Sequence, residues 1–313
     1  MVYAALDIGG TKTIAALTDE NGCILTQKKF TSHVASSEMH LHICANALRD
    51  LMQERDLTAK DIRGLGVSLP GITDSERGIL IYAPYAKWAN IPVAEYLRNE
   101  LGIANIRCEN DVNACTIGEL HFGLGKLYTD YVWMTVSTGV GGAAIVNSTL
   151  VRGADGFAGE LGHLKVEYDH AARCPCGQDG CLEAHGSGTA LNRLTAHLAA
   201  GDPEFAGALT SAGEKADGAG CAKLAMAGNP KAQLIFDEIG TYLGRGMSYC
   251  INILNPQAII VGGGVSRSLE LLRPAIFEAI RANAFWKMRK VDVVRTPLGY
   301  EAALIGAAAL VIG

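Results

Sequence analysis

The feature that most constrains the fold of this chain is a local pattern that occurs twice, about 130 residues apart. Each time, an apolar run leads into a glycine-rich turn, DIGGTK at 7–12 or STGVGG at 137–142, and a second apolar run follows. A turn signal, Asn21-Gly22 or Asn147-Ser148, then leads into a third strand. With helical segments in between, this repeat predicts an α/β protein of two similar domains that flank a cleft.

Apolar periodicity and capping residues predict the other elements. Ser36 and Ser37 are candidate caps of a first helix that ends near residue 55, and Ser266 is the candidate cap of a helix at 269–282. The remaining predictions are strands at 62–69, 103–108 and 258–261, and helices at 91–101, 112–122, 232–254 and 301–311.

The two glycine turns differ from the common nucleotide-binding motifs. Neither has the G-x-x-x-x-G-K-[ST] spacing of a P-loop, and neither has a G-x-G-x-x-G sequence that opens a helix. Glycines nevertheless leave backbone N–H groups unshielded, and such groups bind phosphate oxygens. One such turn is weak evidence for phosphate binding, and two related turns are much stronger evidence.

Composition excludes several classes of protein. The 313 residues are 49% hydrophobic and 19% charged, which is typical of a globular chain with a large core. The net charge of −5 and the lack of a dense basic run argue against a nucleic-acid partner. The sequence shows neither a signal peptide nor an apolar run long enough to span a membrane, so we expect no membrane contact and a cytoplasmic location.

Nine cysteines, an odd number, fit poorly with a disulfide framework. Six of them lie in apolar stretches and are interpreted as small core residues: Cys23, Cys44, Cys108, Cys115, Cys221 and Cys250.

The other three cysteines, Cys174, Cys176 and Cys181, form a C-x-C-G-x-x-G-C motif. The two glycines allow a tight loop that directs three sulfurs to one point. Three thiolates in a reducing compartment select zinc, and His163 is the nearest plausible fourth ligand. The alternative is a set of free or redox-active thiols. A closed Cys3His site would be structural, and it would also fix the polar residues beside it.

Asp111 lies where a strand that ends near Cys108 meets the following helix. One interpretation is that Asp111 only caps that helix. The other is that its carboxylate lies at the carboxyl end of a strand, where α/β proteins bind ligands, and takes a proton from an alcohol that attacks a phosphoryl group.

Several motifs together resemble those of the ROK sugar kinases (repressor, open reading frame, kinase), which have the actin/hexokinase-like ATPase fold. The resemblance spans essentially the whole chain, and its motifs are DIGGTK, LPG at 69–71, END at 109–111, STGVGGA, GELGH at 159–163, CPCGQDGCLE at 174–183 and VGGGVS at 261–266. It implies two ribonuclease-H-like α/β domains with a structural zinc loop. The smaller domain would be 1–115, completed by the helix at 300–313, and the larger domain would be 116–299.

The resemblance also implies an activity, the ATP-dependent phosphorylation of a hexose at its 6-hydroxyl, most often glucose. Asp111 would be the general base, Asn110 and the backbone of Gly71 would bind the sugar, and His163 would bind both a sugar hydroxyl and zinc. The sugar-binding residues would be Gly71, Asn110, Asp111, Glu160, His163 and Glu183.

For the nucleotide, the resemblance implies that Asp7 positions Mg²⁺ and that the two glycine turns bind the phosphates of ATP. The cofactor-binding residues would be Asp7, Gly9, Gly10, Thr11, Lys12, Thr138, Gly139, Gly263 and Gly264.

The segment 83–90 departs from the family pattern, because Tyr85 stands where asparagine is common. The identity of the sugar therefore stays open among glucose, fructose, mannose, allose, N-acetylglucosamine and N-acetylmannosamine. Trp88 is either a core residue or a sugar-facing aromatic. A non-catalytic, repressor-like sugar sensor is the alternative of a different class, and it is disfavoured because Asp111 is present and Asp7 follows so closely on the start of the sequence. We expect a homodimer.

Overall fold

A computed structural model describes residues 1–33, 35–288 and 290–312. In chain order, its strands are β1 (Val2–Ile8), β2 (Lys12–Asp19), β3 (Ile24–Thr31), β4 (Ile62–Leu69), β5 (Ile72–Asp74), β6 (Ile79–Ala83), β7 (Trp88–Ile91), β8 (Ile106–Asn110), β9 (Tyr131–Val136), β10 (Val140–Val146), β11 (Thr149–Leu150), β12 (Ala258–Gly262) and β13 (Asp292–Arg295). The helices are α1 (Ser37–Gln53), α2 (Val93–Leu101), α3 (Asp111–Phe122), α4 (Leu182–Gly186), α5 (Gly188–Gly201), α6 (Pro203–Ser211), α7 (Gly218–Met226), α8 (Pro230–Leu254), α9 (Leu269–Asn283) and α10 (Ala302–Ile312).

The two predicted strand–turn–strand repeats each begin a five-stranded sheet. The first sheet has the order β3-β2-β1-β4-β8 and the second has the order β11-β10-β9-β12-β13. In both sheets the first three strands pair antiparallel, and the last two join in parallel. The predicted α/β class and its repeat are confirmed. A third sheet, β5-β6-β7, is small, and the sequence did not reveal it.

The chain divides into two compact units. The first unit takes three stretches of sequence, Met1–Leu127, Arg152–Gly156 and Pro297–Gly313, and the second takes Tyr128–Val151 and Phe157–Thr296. The predicted boundary at residue 115 would divide α3. The assignment of 1–115 and 116–299 as domains stays a prediction.

Local sequence explains the connections that shape both sheets. After β2, the Asp19 carboxylate accepts hydrogen bonds from the backbone N–H groups of Asn21 and Cys23, both at 2.9 Å, and Gly22 has a φ of +75°. After β10, Asn147 and Ser148 have φ of +50° and +56°, which suits a two-residue hairpin turn. The two turn signals therefore act as predicted.

Helix caps agree with the sequence in one case and differ in another. Ser36 caps α1 as predicted, because its hydroxyl accepts a hydrogen bond from the backbone N–H of Met39. The prediction that Ser266 caps the helix at 269–282 is wrong. Ser266 lies inside a 3-10 helix (Gly264–Ser268), and its hydroxyl donates to the carbonyl of Gly263 at 2.7 Å instead.

The C-terminal helix α10 completes the core of the first unit. Leu304, Ala307 and Ala308 are fully buried against residues of β1 and β2. The contact with β4 is so close that a Cβ atom at Gly66 would lie 1.7 Å from the carbonyl oxygen of Ala307. Small residues on both sides therefore let the helix lie directly on the sheet.

All nine cysteines lie in the described part of the chain, and none forms a disulfide. Five of the six that were interpreted as core residues are buried. The interpretation of Cys23 as a core residue is wrong, because Cys23 is exposed in the connection between β2 and β3. Trp88 is buried in the first unit, beside the rings of His40 and Tyr85.

Among the described residues, no helix combines the length and the hydropathy that a membrane span needs.

Candidate active site

The first glycine turn joins β1 to β2 and is shaped by close contacts. The N–H of Gly9 donates to the carbonyl of Lys12 at 3.0 Å, and a Cβ at Gly9 would lie only 2.8 Å from that same oxygen. A Cβ at Gly10 would lie 3.2 Å from the ring of Tyr85. The turn thus requires glycine at residue 9, and Tyr85 packs on it at residue 10.

The end of this turn is polar. Thr11 is exposed, and its carbonyl accepts a hydrogen bond from the N–H of Ser32 at 3.1 Å. The ammonium of Lys12 lies 4.1 Å from the ring centre of Tyr300, with the ammonium of Lys29 on the same ring at 5.8 Å. Lys12 therefore contributes positive charge at the turn while its side chain rests on an aromatic ring.

Asp7 lies in β1 immediately before the turn. Its carboxylate accepts a hydrogen bond from the hydroxyl of Ser68, its register partner on β4, at 3.0 Å. Burial raises the pKa of Asp7, and the Ser68 hydrogen bond and the charge of Lys12 oppose that rise. A partly buried carboxylate with unused oxygen lone pairs is a suitable ligand for a hard cation such as Mg²⁺.

The carboxyl ends of β4 and β8 bring two more predicted residues together. Gly71 has a φ of +109°, and a Cβ there would lie 2.4 Å from the carbonyl oxygen of Tyr82. The side-chain amide of Asn110 donates to the carbonyl of Gly71 at 3.0 Å, and its oxygen accepts from the N–H groups of Val112 and Asn113. Asn110 is therefore the N-cap of α3, and the interpretation of Asp111 as that cap is wrong.

Asp111 is the first residue of α3, at the same edge of the sheet as Asp7. Its pKa is raised to about 6, first by burial and then by the negative charge of Asp7, against a hydrogen bond from the N–H of Val112. A carboxylate with that pKa can accept and release a proton near neutral pH, which is what a general base needs.

The second glycine turn joins β9 to β10 in the other unit. The N–H of Ser137 donates to the carbonyl of Gly139 at 2.9 Å. The start of α5 supports the turn from outside, since the N–H of Gly188 donates to Ser137 at 2.7 Å and the hydroxyl of Thr189 donates to the carbonyl of Thr138 at 2.7 Å.

Glu183, in the first turn of α4, reaches this second turn. One of its oxygens accepts a hydrogen bond from the N–H of Val140 at 3.0 Å, and a Cβ at Gly139 would lie 2.2 Å from that oxygen. The other oxygen lies 4.0 Å from the sulfur of Cys174. Glu183 thus connects the glycine turn to the cysteine loop.

The four predicted metal ligands, His163, Cys174, Cys176 and Cys181, lie together, with their ligand atoms all within 4.8 Å of one another. Nδ1 of His163 is 3.8 Å from the sulfur of Cys174, and the sulfurs of Cys176 and Cys181 are 3.7 Å apart. In a tetrahedral zinc site, bond lengths of about 2.0–2.3 Å place neighbouring ligands about 3.6–3.8 Å apart. The donor set and its spacing therefore fit zinc.

Glycines shape the loop that presents these ligands. Gly177 and Gly180 have φ of +91° and +78°, and the N–H of Cys174 donates to the carbonyl of Gln178 at 2.8 Å. Glu160 and His163 also meet, because an oxygen of Glu160 lies 3.8 Å from Nε2 of His163. One ring nitrogen of His163 faces the sulfurs, and the other faces Glu160.

The end of β12 adds the last predicted pair. Gly263 has a φ of +81°, and a Cβ there would lie 2.4 Å from the carbonyl oxygen of Val136 at the end of β9. Gly264 has open space around its Cβ position. In the second unit, the structure therefore brings Gly263 close to the start of the second glycine turn.

Sequence reasoning missed three contributors to this chemistry. Ser68 holds the Asp7 carboxylate, and Arg152 forms an ion pair with Glu109. The sequence analysis noted Glu109 only as part of a motif and did not note Arg152 at all. Ser68 could have been found from register, since Asp7, Ser68 and Glu109 form one row across β1, β4 and β8. No sequence signal links Arg152 to Glu109.

Comparisons with known proteins show which family and which structures this chain is similar to. The sequence model that represents the ROK family matches residues 3–313 of this chain. A glucokinase of Thermotoga maritima is 32% identical over 315 residues, an alignment that covers 98% of this chain and 96% of that protein. A crystal structure of a ROK family glucokinase from Streptomyces griseus, in complex with glucose and AMPPNP, is similar with a TM-score of 0.82 and 31% identity over 99% of both chains. A xylose repressor of Bacillus spizizenii is 25% identical over 98% of this chain, which spans 76% of the repressor.

Proposed function

The chain belongs to the ROK family, and on that premise we propose that it phosphorylates the 6-hydroxyl of a hexose with ATP, with glucose as the first acceptor to test. The observation that carries the proposal is Asp111, a carboxylate whose pKa is raised to about 6 and which lies at the same sheet edge as Asp7. The glucokinases of similar sequence and structure support the choice of reaction.

In the proposed reaction, the sugar oxygen attacks the terminal phosphorus of ATP as the bond to the bridging oxygen of ADP breaks. Asp111 accepts the proton of the hydroxyl and later releases it to solvent. Asn110 and Gly71 are already joined by a hydrogen bond, so they offer the sugar a pre-organised edge. Glu160, His163 and Glu183 are the proposed ligands for the other hydroxyls.

The proposed phosphate ligands are backbone N–H groups of the two glycine turns, at Gly9, Gly10 and Thr11 in one and at Thr138 and Gly139 in the other. Lys12 adds positive charge, and Gly263 and Gly264 are proposed to lie near the adenosine. Asp7 would help to hold Mg²⁺, which neutralises charge on the transferring phosphate when bound. Zinc, held by His163 and the three cysteines, would fix the loop that carries Glu183.

The test is a coupled ADP-release assay over glucose, mannose, fructose, allose, N-acetylglucosamine and N-acetylmannosamine. We expect turnover with at least one sugar and the highest kcat/KM with glucose. Isothermal titration with each sugar runs in parallel. Sugar binding without turnover would instead favour the sensor that the xylose repressor similarity suggests. If the protein neither binds nor phosphorylates any of these sugars, the proposal is overturned.

The expected homodimer is part of the proposal and is tested by light scattering after size-exclusion chromatography. The cytoplasmic location, also part of it, is tested by cell fractionation.

A further inference from the structure

The proposed reaction gives no role to Glu109, a carboxylate that is only 2% exposed. A buried carboxylate is costly unless several donors satisfy it. Glu109 has four: Oε1 accepts from the Ser75 hydroxyl at 2.8 Å, the Asn110 N–H at 2.9 Å and the Asn113 side-chain amide at 3.1 Å, and Oε2 contacts Arg152 at 2.6 Å.

Two of these donors define the start of α3. The Asn110 N–H belongs to the residue that caps the helix, and the Asn113 amide comes from its first turn. Asp111 lies between them, so the one carboxylate of Glu109 holds the backbone just before the proposed base and a side chain just after it. A shift of this backbone would move the Asp111 carboxylate with it.

Arg152 holds the other oxygen of Glu109. It belongs to the short stretch Arg152–Gly156, which is part of the first unit although the chain before and after it is part of the second. Among the described residues, its guanidinium makes two contacts, both through NH1, at 2.6 Å to Glu109 and 3.4 Å to the Ser75 hydroxyl. The interaction therefore needs one cationic donor and not the planar fork of arginine.

We propose that Glu109 and Arg152 form a positioning pair that sets the orientation of Asp111. The inference rests on the proposed function for its kinetic consequence. Arg152 keeps Oε2 of Glu109 in place, Oε1 then keeps Asn110 and Asn113 in place, and Asp111 meets the hydroxyl in a productive geometry. Displacement of a catalytic group by about 1 Å can cost on the order of 100-fold in rate, so the pair acts on kcat more than on sugar affinity.

The central variant is Arg152→Met. The methionine can lie along a cavity of about 190 Å³ that Ile117, His121 and Leu310 help to line, so the variant is expected to fold. We expect kcat to fall roughly 10- to 100-fold with less than about a threefold change in sugar KM. Arg152→Lys should restore kcat to within about fivefold of the wild type, because one ammonium replaces the one contacting nitrogen.

The matched control is Arg49→Met. Arg49 lies in the same unit, is 40% exposed against 46% for Arg152, and joins α1 to α2 by pairing with Glu100 at 2.8 Å. It should lower kcat less than about twofold. Glu109→Gln keeps the acceptor Oε1 but turns an N–H₂ group toward Arg152. Its loss and that of Arg152→Met should therefore be strongly non-additive in the double variant.

Hydrogen exchange followed by mass spectrometry tests the positioning without any assay of activity. In Arg152→Met, a peptide that covers residues 109–116 should exchange about tenfold faster, and in Arg49→Met it should not change. A folded Arg152→Met protein with wild-type kcat and wild-type exchange would overturn the proposal, as would an equal loss in Arg49→Met. If the wild type phosphorylates no sugar, the proposed function fails, and the exchange result still decides whether the pair orders α3.

Discussion

The two glycine turns lie in sheets of the same topology, but different chemistry surrounds them. In the first sheet, the row that precedes the turn is Asp7, Ser68 and Glu109, and Asp111 follows the last strand. In the second sheet, the corresponding residue Thr135 pairs with Gly262, and neither carries a carboxylate. The carboxylate at the second turn is Glu183, which comes from a helix outside the sheet. A repeated backbone thus supports the proposed base beside one sheet and proposed ligand-binding residues beside the other.

The largest test of this difference is Asp111→Asn. The amide keeps the size of the side chain but cannot take a proton, so kcat should fall by a factor of about 10²–10⁴. Sugar affinity, measured by isothermal titration, should stay within about threefold.

Asp50→Asn is the control for that loss. Asp50 is an exposed carboxylate of α1 that pairs with Lys28, and its removal should leave kcat unchanged. If Asp111→Asn kept more than about a tenth of the wild-type kcat, the assignment of the base to the first sheet would be wrong.

The second test concerns the cysteine loop and its predicted zinc site. Cys181→Ser should lower the zinc content, measured by elemental analysis, from about one per chain to a small fraction. It should also weaken sugar binding roughly 10- to 100-fold, because Glu183 and His163 lose their fixed positions.

The exposed thiol of Cys23 provides the control, since Cys23→Ser should change neither zinc content nor affinity. Purified wild-type protein without zinc would contradict the predicted metal site. Cys181→Ser protein with full sugar affinity would show that the cysteine loop does not support sugar binding.

The third test compares the turns directly through their glycines. A methyl group at Gly139 would lie 2.2 Å from an oxygen of Glu183, whereas one at Gly10 would lie 3.2 Å from the ring of Tyr85. Gly139→Ala must displace a proposed sugar ligand and should raise sugar KM about tenfold. Gly10→Ala should leave sugar KM within about threefold of the wild type and should instead raise the KM for the nucleotide. Adding Tyr85→Asn should reverse that rise, because it removes the ring that the new methyl group meets. The opposite order in sugar KM would show that the first turn, and not the second, is coupled to sugar binding.

The smallest expected effect is on stability. Because the folded-state pKa of Asp111, about 6, is above its ordinary value of 3.8, the charged carboxylate opposes folding. This penalty is absent below pH 4, grows as the pH rises toward 6 and is complete above it. Urea unfolding should therefore find Asp111→Asn more stable than the wild type at pH 8, by up to roughly 3 kcal/mol, and equal at pH 3.5. A variant that is less stable than the wild type at pH 8 would mean that the carboxylate is stabilised by contacts other than those described.

The sequence predicted best where local chemistry decides the structure. The 62–69 strand has the observed bounds of β4, and the Ser36 cap and both hairpin turns are as predicted. β5, β6 and β7 were missed, because each has three to five residues and their stability comes from pairing with one another. Ser266 has the residue type of a cap, but its hydroxyl finds a nearer partner in Gly263.

At the candidate site, the sequence suggested the residues that the proposal uses but not the contacts that hold them. The four predicted metal ligands were identified because cysteine spacing is specific, and the structure brings them together. The pair of Glu109 and Arg152 was not found, because its members are far apart in the chain and neither residue type is unusual. The link between Gly139 and Glu183 also depends on tertiary packing that no motif records.

The position of α10 has a consequence for how the protein matures on the ribosome. The first unit needs Leu304, Ala307 and Ala308 to cover one face of its sheet, and in the sequence these residues follow every stretch of the second unit. The face of the sheet that α10 covers therefore stays exposed until this helix has been made, whereas the second unit, which ends at Thr296, has its whole sequence earlier. β1 and β2, which precede the other strands of both sheets, thus complete their packing only with a helix that follows all of those strands.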